Sequence, residues 1–184
     1  MRARHRRVRV LIVDDHRLVR TGLKTLLGGD GYEIVAEAGN GEDALQLAGI
    51  HRPGLIIADI RLPAMSGLEF SRRAMELLPR THVLLFSMCR DREMVREAIR
   101  IGVSGYILKE DGWRLCEALS VIMRGDRYFS PSLSDVLVDL VMPILHRQSE
   151  TAGMGKMSFR YNTRAGRAIE IDDRAYETER QDGK

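Results

Sequence analysis

The amino-acid sequence predicts an α/β protein, five parallel strands in a doubly wound sheet with helices on both faces. Two observations carry this. Over the first 125 residues, short aliphatic runs alternate with stretches of helical periodicity, the pattern of a parallel sheet built from crossover units. Acidic, hydroxyl or basic residues then follow four of the five runs, where an open parallel sheet presents its reactive groups.

The five runs are Val8–Val13, Glu33–Ala36, Leu55–Ala58, Val83–Phe86 and Gly105–Leu108. Each is short, mostly aliphatic and free of Pro, as strands covered on both faces are. Between and after them, helical spacing recurs in Val19, Gly22, Leu23 and Leu26; in Ala44, Leu45 and Ala48; in Leu68, Met75 and Leu78; in Val95, Ala98 and Ile99; and in Leu115, Ala118, Leu119 and Ile122. Gly28, Gly29, Gly31, Gly39, Gly41, Gly54, Gly102 and Gly125 fall at the predicted ends, where caps and turns call for positive φ. Trp113 reads as packing for the fifth helix.

After Gly125 the pattern changes. Arg127-Tyr-Phe-Ser-Pro-Ser reads as a turn into one more amphipathic helix, with Ser130 as N-cap, Pro131 at the first helical position, and Leu133, Val136, Leu137, Leu140 and Val141 on its apolar face. From Gln148 the periodicity fades, and residues 151–184 hold only 11 hydrophobic residues of 34, which predicts an irregular, flexible tail. The expected organisation is a basic arm at 1–7, a folded domain at 8–128, a linker-like helix at 129–147 and the tail at 148–184.

Charge narrows the function classes. The formal net charge is +3, from 29 Lys+Arg and 26 Asp+Glu, but residues 1–9 alone carry five Arg and no acid. Residues 10–130 hold 16 basic and 17 acidic groups, so the folded body is close to neutral, and the basic overall charge is no argument for a nucleic-acid-binding body. The longest apolar runs are far below the roughly 20 residues of a membrane span. Two cysteines, Cys89 and Cys116, have no metal-ligand spacing and do not argue for export, so a cytoplasmic location is expected.

The chemistry lies at the strand ends. The first strand ends in Asp14-Asp15, the third in Asp59, the fourth in Ser87 and the fifth in Lys109. Asp14-Asp15 alone would also serve as an acidic helix start, and His16 as a first-turn residue without chemistry. Three carboxylates on one rim, however, repel one another unless a cation sits among them. A hard divalent ion with oxygen ligands, Mg2+ above all, answers this. Lys109 would counter a further anion beside Asp59, Ser87 could donate to it, and phosphoryl transfer onto Asp59 fits the set.

At this point the sequence resembles a family. Val-Leu-Ile-Val-Asp14-Asp15-His16, Ile-Ile-Ala-Asp59-Ile-Arg-Leu-Pro63-Ala-Met-Ser-Gly67-Leu-Glu, Leu-Phe-Ser87 and Gly105-Tyr106-Ile-Leu-Lys109 are similar to the receiver domain of two-component response regulators, with the Asp-Asp-His opening closest to the NarL/FixJ/LuxR type. The resemblance spans about residues 8–130 and implies the flavodoxin-like fold of CheY-like receivers. It implies Asp59 as phosphoacceptor, Asp14, Asp15, Asp59 and the backbone carbonyl of Arg61 as Mg2+ ligands, Ser87 as switch hydroxyl, Tyr106 as the aromatic that follows it inward, and Lys109 as phosphate-pairing cation. The implied donor is a phosphohistidine on a sensor histidine kinase, and the implied output is a protein contact in transcription control; a homodimer is compatible with it. The domain would transfer and hydrolyse its own phosphoryl group without being a turnover enzyme.

Two departures stand out. Ser66 takes the place of the usual Asp or Asn before Gly67. Residues 151–184 are also too few, and too rich in Gly, for the C-terminal helix-turn-helix of this subfamily, which leaves DNA binding by this chain unsupported. The alternatives are a DNA-binding transcription regulator with a lost or degenerate C-terminal domain, and a Mg2+-dependent aspartyl-phosphate phosphohydrolase of the haloacid dehalogenase type.

Overall fold

A computed structural model describes residues 7–29, 31–137, 159–162 and 168–171. The elements run β1 (Val8–Val13), α1 (Arg17–Leu27), β2 (Tyr32–Ala38), α2 (Gly41–His51), β3 (Leu55–Ala58), α3 (Gly67–Leu77), β4 (His82–Ser87), α4 (Arg92–Ile101), β5 (Gly105–Leu108), a 3-10 helix (Lys109–Arg114), α5 (Leu115–Ile122) and β6 (Tyr128–Phe129). The strands form one parallel sheet in the order β2-β1-β3-β4-β5-β6. The five predicted strands all form, and the strand order reverses beside β1.

Period-two alternation divides the core between the two faces. Leu11, Val13, Ile56, Ala58, Val83, Leu85, Tyr106 and Leu108 pack with residues of α2, α3 and α4, including Ala44, Phe70, Ala74, Val95 and Ala98. Val10, Ile12, Leu55, Ile57, Leu84, Phe86 and Ile107 face the other way, onto Leu23 and Leu27 of α1 and Leu115, Ala118, Leu119 and Ile122 of α5. Both faces of the central strands are buried, which is why those strands read as continuous apolar runs.

Side chains cap three of the helices. Asn40 accepts from Asp43 N–H at the start of α2, Ser66 from Glu69 N–H at α3, and Asp91 from Glu93 and Met94 N–H at α4, each supplying an oxygen to a donor the helix leaves unpaired.

Several details differ from expectation. The sheet has a sixth strand, β6, in which Gly105 pairs with Tyr128 and Tyr106 with Phe129; two residues are too few to register as a period. Ser130 makes no capping bond. It is buried in the sheet instead, its N–H donating to Tyr106 O at 2.8 Å and its Oγ accepting from Leu108 N–H at 2.9 Å. Pro131 does open a helical turn, the 3-10 segment Pro131–Leu133, and residues 134–137 are helical; the rest of the predicted helix, Leu140 and Val141 included, lies outside the described residues, as does the arm at 1–6.

In α1 the buried pair is Leu23 and Leu27, while Leu26 points outward: the i, i+4 row, one step round from the predicted stripe, meets the sheet. Trp113 does not pack in the core. It is 72% exposed on the 3-10 helix, its ring under the Arg114 guanidinium at 4.2 Å. Among the described glycines only Gly102 and Gly125 have positive φ; the left-handed end of α2 is taken by Arg52. In the region expected to be irregular, β7 (Phe159–Asn162) and β8 (Ala168–Ile171) pair antiparallel. No helix among the described residues is long and apolar enough to cross a membrane.

Candidate functional site

Sheet register assembles the site. Val13 pairs with Ala58, so the next residues, Asp14 and Asp59, emerge side by side where the strand order reverses. Ser87 pairs with Leu108, which puts Ser87 and Lys109 on the same rim. Asp14 and Asp59 are almost fully buried, at 1% and 5% exposure, and buried carboxylates need partners.

Those partners are present. Lys109 Nζ donates to Asp59 Oδ2 at 2.6 Å and to Asp14 Oδ2 at 2.7 Å. Ser87 Oγ donates to Asp59 Oδ1 at 2.6 Å, and Arg61 N–H donates to the same oxygen at 3.3 Å. Burial alone would raise the Asp59 carboxyl, but the hydrogen bonds from Lys109 and Ser87, the Lys109 charge and the Arg61 N–H outweigh it and hold Asp59 below the ordinary carboxylate range. Lys109 is the mirror case: burial opposes its charge, and the bonds and charges of Asp14 and Asp59 raise it above the ordinary lysine value. Asp59 is therefore held in its ionised form, and the Lys109 ammonium bridges it to Asp14.

Asp15, on the exposed side of Asp14, completes the acidic set. One donor atom from each of Asp14, Asp15, His16 and Asp59 can be chosen so that all lie within 4.8 Å of one another. Three of the four are carboxylate oxygens and, among the described residues, one ammonium opposes them, a donor set suited to a hard divalent ion such as Mg2+. The Arg61 backbone lies beside this set, tied to Asp59 by its N–H.

Tyr106 is fully buried on β5, and its hydroxyl donates to the Cys89 carbonyl at 2.6 Å. Burial first, then Cys89, hold its phenol far above the ordinary range, so it is a neutral donor. Cys89 N–H in turn makes a long, 3.4 Å bond to Ser87 Oγ. The predicted residues Asp14, Asp15, Asp59, Ser87, Tyr106 and Lys109 thus belong to one connected neighbourhood.

Sequence reasoning missed two contributors. His16, read as without chemistry, places Nδ1 2.7 Å from Asp15 Oδ1 and 3.4 Å from Asp14 Oδ1, and its N–H donates to Asp14 Oδ1 at 2.8 Å; its place directly after the acidic pair was the clue. Gly67 holds the loop after Asp59. Its N–H donates to Ile60 O at 2.8 Å, and a Cβ there would lie 1.9 Å from the Asp59 carbonyl oxygen. Ser66, the departure from the usual Asp or Asn, caps α3.

Comparisons with known proteins point to one family. Residues 10–120 match the family model of the response regulator receiver domain. The transcriptional regulatory protein DegU of Brevibacillus brevis is 34% identical over 134 residues, 72% of this chain and 57% of its own length. The transcriptional activator protein ExaE of Pseudomonas putida is 39% identical over 130 residues, 70% of this chain and 61% of its own. The crystal structure of a LuxR-family two-component response regulator from Aurantimonas sp. SI85-9A1 superposes with a TM-score of 0.69 at 29% identity, covering 74% of this chain and 99% of that one. The chain spans only about three fifths of the length of the curated relatives it matches. With the match over residues 10–120, the shared fold and the acidic rim at the ends of β1 and β3, this chain belongs to the response regulator receiver domain family.

Proposed function

We propose that this chain is the receiver of a two-component phosphorelay in which Asp59 accepts a phosphoryl group from a phosphohistidine of a sensor histidine kinase. A carboxylate oxygen of Asp59 forms the new P–O bond as the P–N bond to the donor imidazole breaks, leaving an acyl phosphate on Asp59. The observation that carries this reading is the buried, ionised Asp59 held by Lys109 and Ser87. Ionisation keeps the nucleophile ready, and Lys109 and Ser87 are positioned to follow the phosphoryl oxygens as charge gathers on them.

Asp14, Asp15, Asp59 and the Arg61 carbonyl would hold Mg2+, which supplies positive charge against the phosphoryl oxygens. Ser87 and Tyr106, joined through the Cys89 peptide, form the path by which a change at Asp59 reaches the surface of α4, β5 and α5. The output is a protein contact in transcription control within the cytoplasm, in keeping with relatives named as transcriptional regulators and activators, and a homodimer is compatible with it. The domain acts on its own phosphoryl group and is not a turnover enzyme. The organisation proposed is the arm at 1–7, the receiver at 8–128, the linker-like segment at 129–147, of which Phe129 and Ser130 belong to the sheet and helical structure begins only at Pro131, and the tail at 148–184. The haloacid dehalogenase alternative places its nucleophile on the first strand, whereas the lone Asp59 follows β3.

Incubation with Mg2+ and acetyl phosphate, followed by intact mass measurement, tests the reading. A phosphoryl adduct on the wild-type chain, absent from Asp59→Ala, supports it. A wild-type chain that takes up no phosphoryl group overturns it.

A further inference from the structure

We infer that His16 is an additional metal ligand, and that its imidazole makes the acidic site prefer borderline divalent ions such as Co2+ over what its carboxylates alone would hold. This rests on the reading that the acidic set binds a divalent ion at all.

The geometry divides the carboxylate oxygens. Lys109 takes Asp14 Oδ2 and Asp59 Oδ2, and Asp59 Oδ1 already accepts from Ser87 Oγ and Arg61 N–H, so the oxygens that remain beside His16 are Asp14 Oδ1 and Asp15 Oδ1. His16 Nδ1 is on that side, 2.7 Å from Asp15 Oδ1 and 3.4 Å from Asp14 Oδ1. Neighbouring donors around an octahedral ion with bonds of about 2.1 Å lie roughly 3 Å apart, and the two observed separations bracket that spacing.

The local fold keeps the ring there. His16 N–H donates to Asp14 Oδ1 at 2.8 Å, which fixes the backbone at the start of α1 and the carboxylate together. The His16 side chain is 68% exposed, so it can adjust toward an ion without disturbing the core. Mg2+ takes oxygen donors and keeps several waters, whereas imidazole nitrogen suits the later first-row ions. An imidazole added to three carboxylates therefore strengthens binding of a Co2+-like ion and leaves Mg2+ nearly unaffected. A plain surface ion pair between His16 and Asp15 carries no such discrimination.

Calorimetric titration of the full chain with MgCl2 and with CoCl2 tests this, comparing wild type with His16→Ala. Co2+ affinity is expected to fall about tenfold in the variant, Mg2+ affinity to change less than twofold, and excess Mg2+ to displace the bound Co2+. Unchanged Co2+ affinity, an equal loss for both ions, or Co2+ that Mg2+ does not displace overturns the inference. A wild-type chain that binds neither ion overturns the divalent-ion reading beneath it as well. A second measurement needs no variant: the proton NMR spectrum of Co2+ bound to the wild-type chain is expected to show strongly shifted imidazole ring protons from one histidine, and their absence overturns the assignment of His16.

Discussion

Lys109 Nζ lies 2.6 Å from Asp59 Oδ2 and 2.7 Å from Asp14 Oδ2, so one ammonium serves two buried carboxylates that arrive on different strands. Lys109 is their shared counter-charge, and it is needed because an unpaired buried charge costs more than a strand end recovers. The contact links residues 95 and 50 positions apart in the chain, and it forms only when β1, β3 and β5 are all in register. The charge pattern is thus also a check on the fold.

The first prediction concerns pH. Asp59 is held below its ordinary value, so its contribution to stability is present above about pH 4 and is lost as pH falls through the lower folded value. Lys109 is raised, so its contribution is present below about pH 10 and is lost as pH rises through the higher folded value. Urea midpoints measured against pH should fall away at both ends, and Lys109→Met should flatten both limbs relative to wild type. Parallel curves for the two proteins would show that the bridge does not control stability.

A second prediction concerns the ion. With three carboxylates against one ammonium, the metal-free site is over-charged, and a divalent ion that binds only the folded chain stabilises it by about 2.7 kcal/mol at a hundred times its Kd. Melting with and without Mg2+ should show a rise in Tm for wild type and almost none for Asp15→Asn. Without metal, Asp15→Asn should melt at or slightly above wild type, because one repulsive charge has gone. A variant that keeps the full Mg2+ response would remove Asp15 from the metal set.

Most of this site was legible in the sequence because a parallel sheet delivers the residues that follow its strands to one rim. Asp14, Asp59, Ser87 and Lys109 each follow a run of buried aliphatics, and that position predicts both burial and convergence. The long-range partners are another matter: that Lys109 bridges two carboxylates depends on strand order, which periodicity does not encode. His16 was missed because one helical turn looks alike whether its ring faces solvent or a carboxylate. Trp113 was misplaced because hydrophobicity predicts burial only on average, and a 3-10 helix turned it outward. β6 escaped because two residues, Tyr128 and Phe129, carry no period.

The third prediction contrasts two glycines. A Cβ on Gly67 would sit 1.9 Å from the Asp59 carbonyl oxygen, and neither backbone can yield without moving Asp59 or the start of α3. Gly67→Ala should cost about 2–3 kcal/mol and slow phosphoryl uptake from acetyl phosphate. Gly22, inside α1, has an ordinary φ, and a Cβ added there would meet nothing within 4 Å. Gly22→Ala should stabilise the fold by about 0.5–1 kcal/mol with uptake unchanged. Chemical denaturation of the two variants separates these outcomes, and equal effects would refute the close-approach argument.

The last prediction concerns coupling between Ser87 and Tyr106. The two side chains do not bond directly; the Cys89 peptide joins them, its carbonyl accepting from Tyr106 at 2.6 Å and its N–H reaching Ser87 at 3.4 Å. Tyr106→Phe leaves that buried carbonyl without its side-chain donor, at a cost of about 1–2 kcal/mol. Ser87→Ala removes the bond to Asp59 Oδ1 and the anchor of the Cys89 N–H together. Once either is gone the Cys89 peptide can relax, so the second substitution should cost less than it does alone. A double-mutant cycle on denaturant unfolding should therefore show a coupling of about 0.5–1 kcal/mol, and the adduct yield of the double variant should match that of Ser87→Ala. Additivity within about 0.3 kcal/mol would show that Tyr106 packs beside the site without communicating with it.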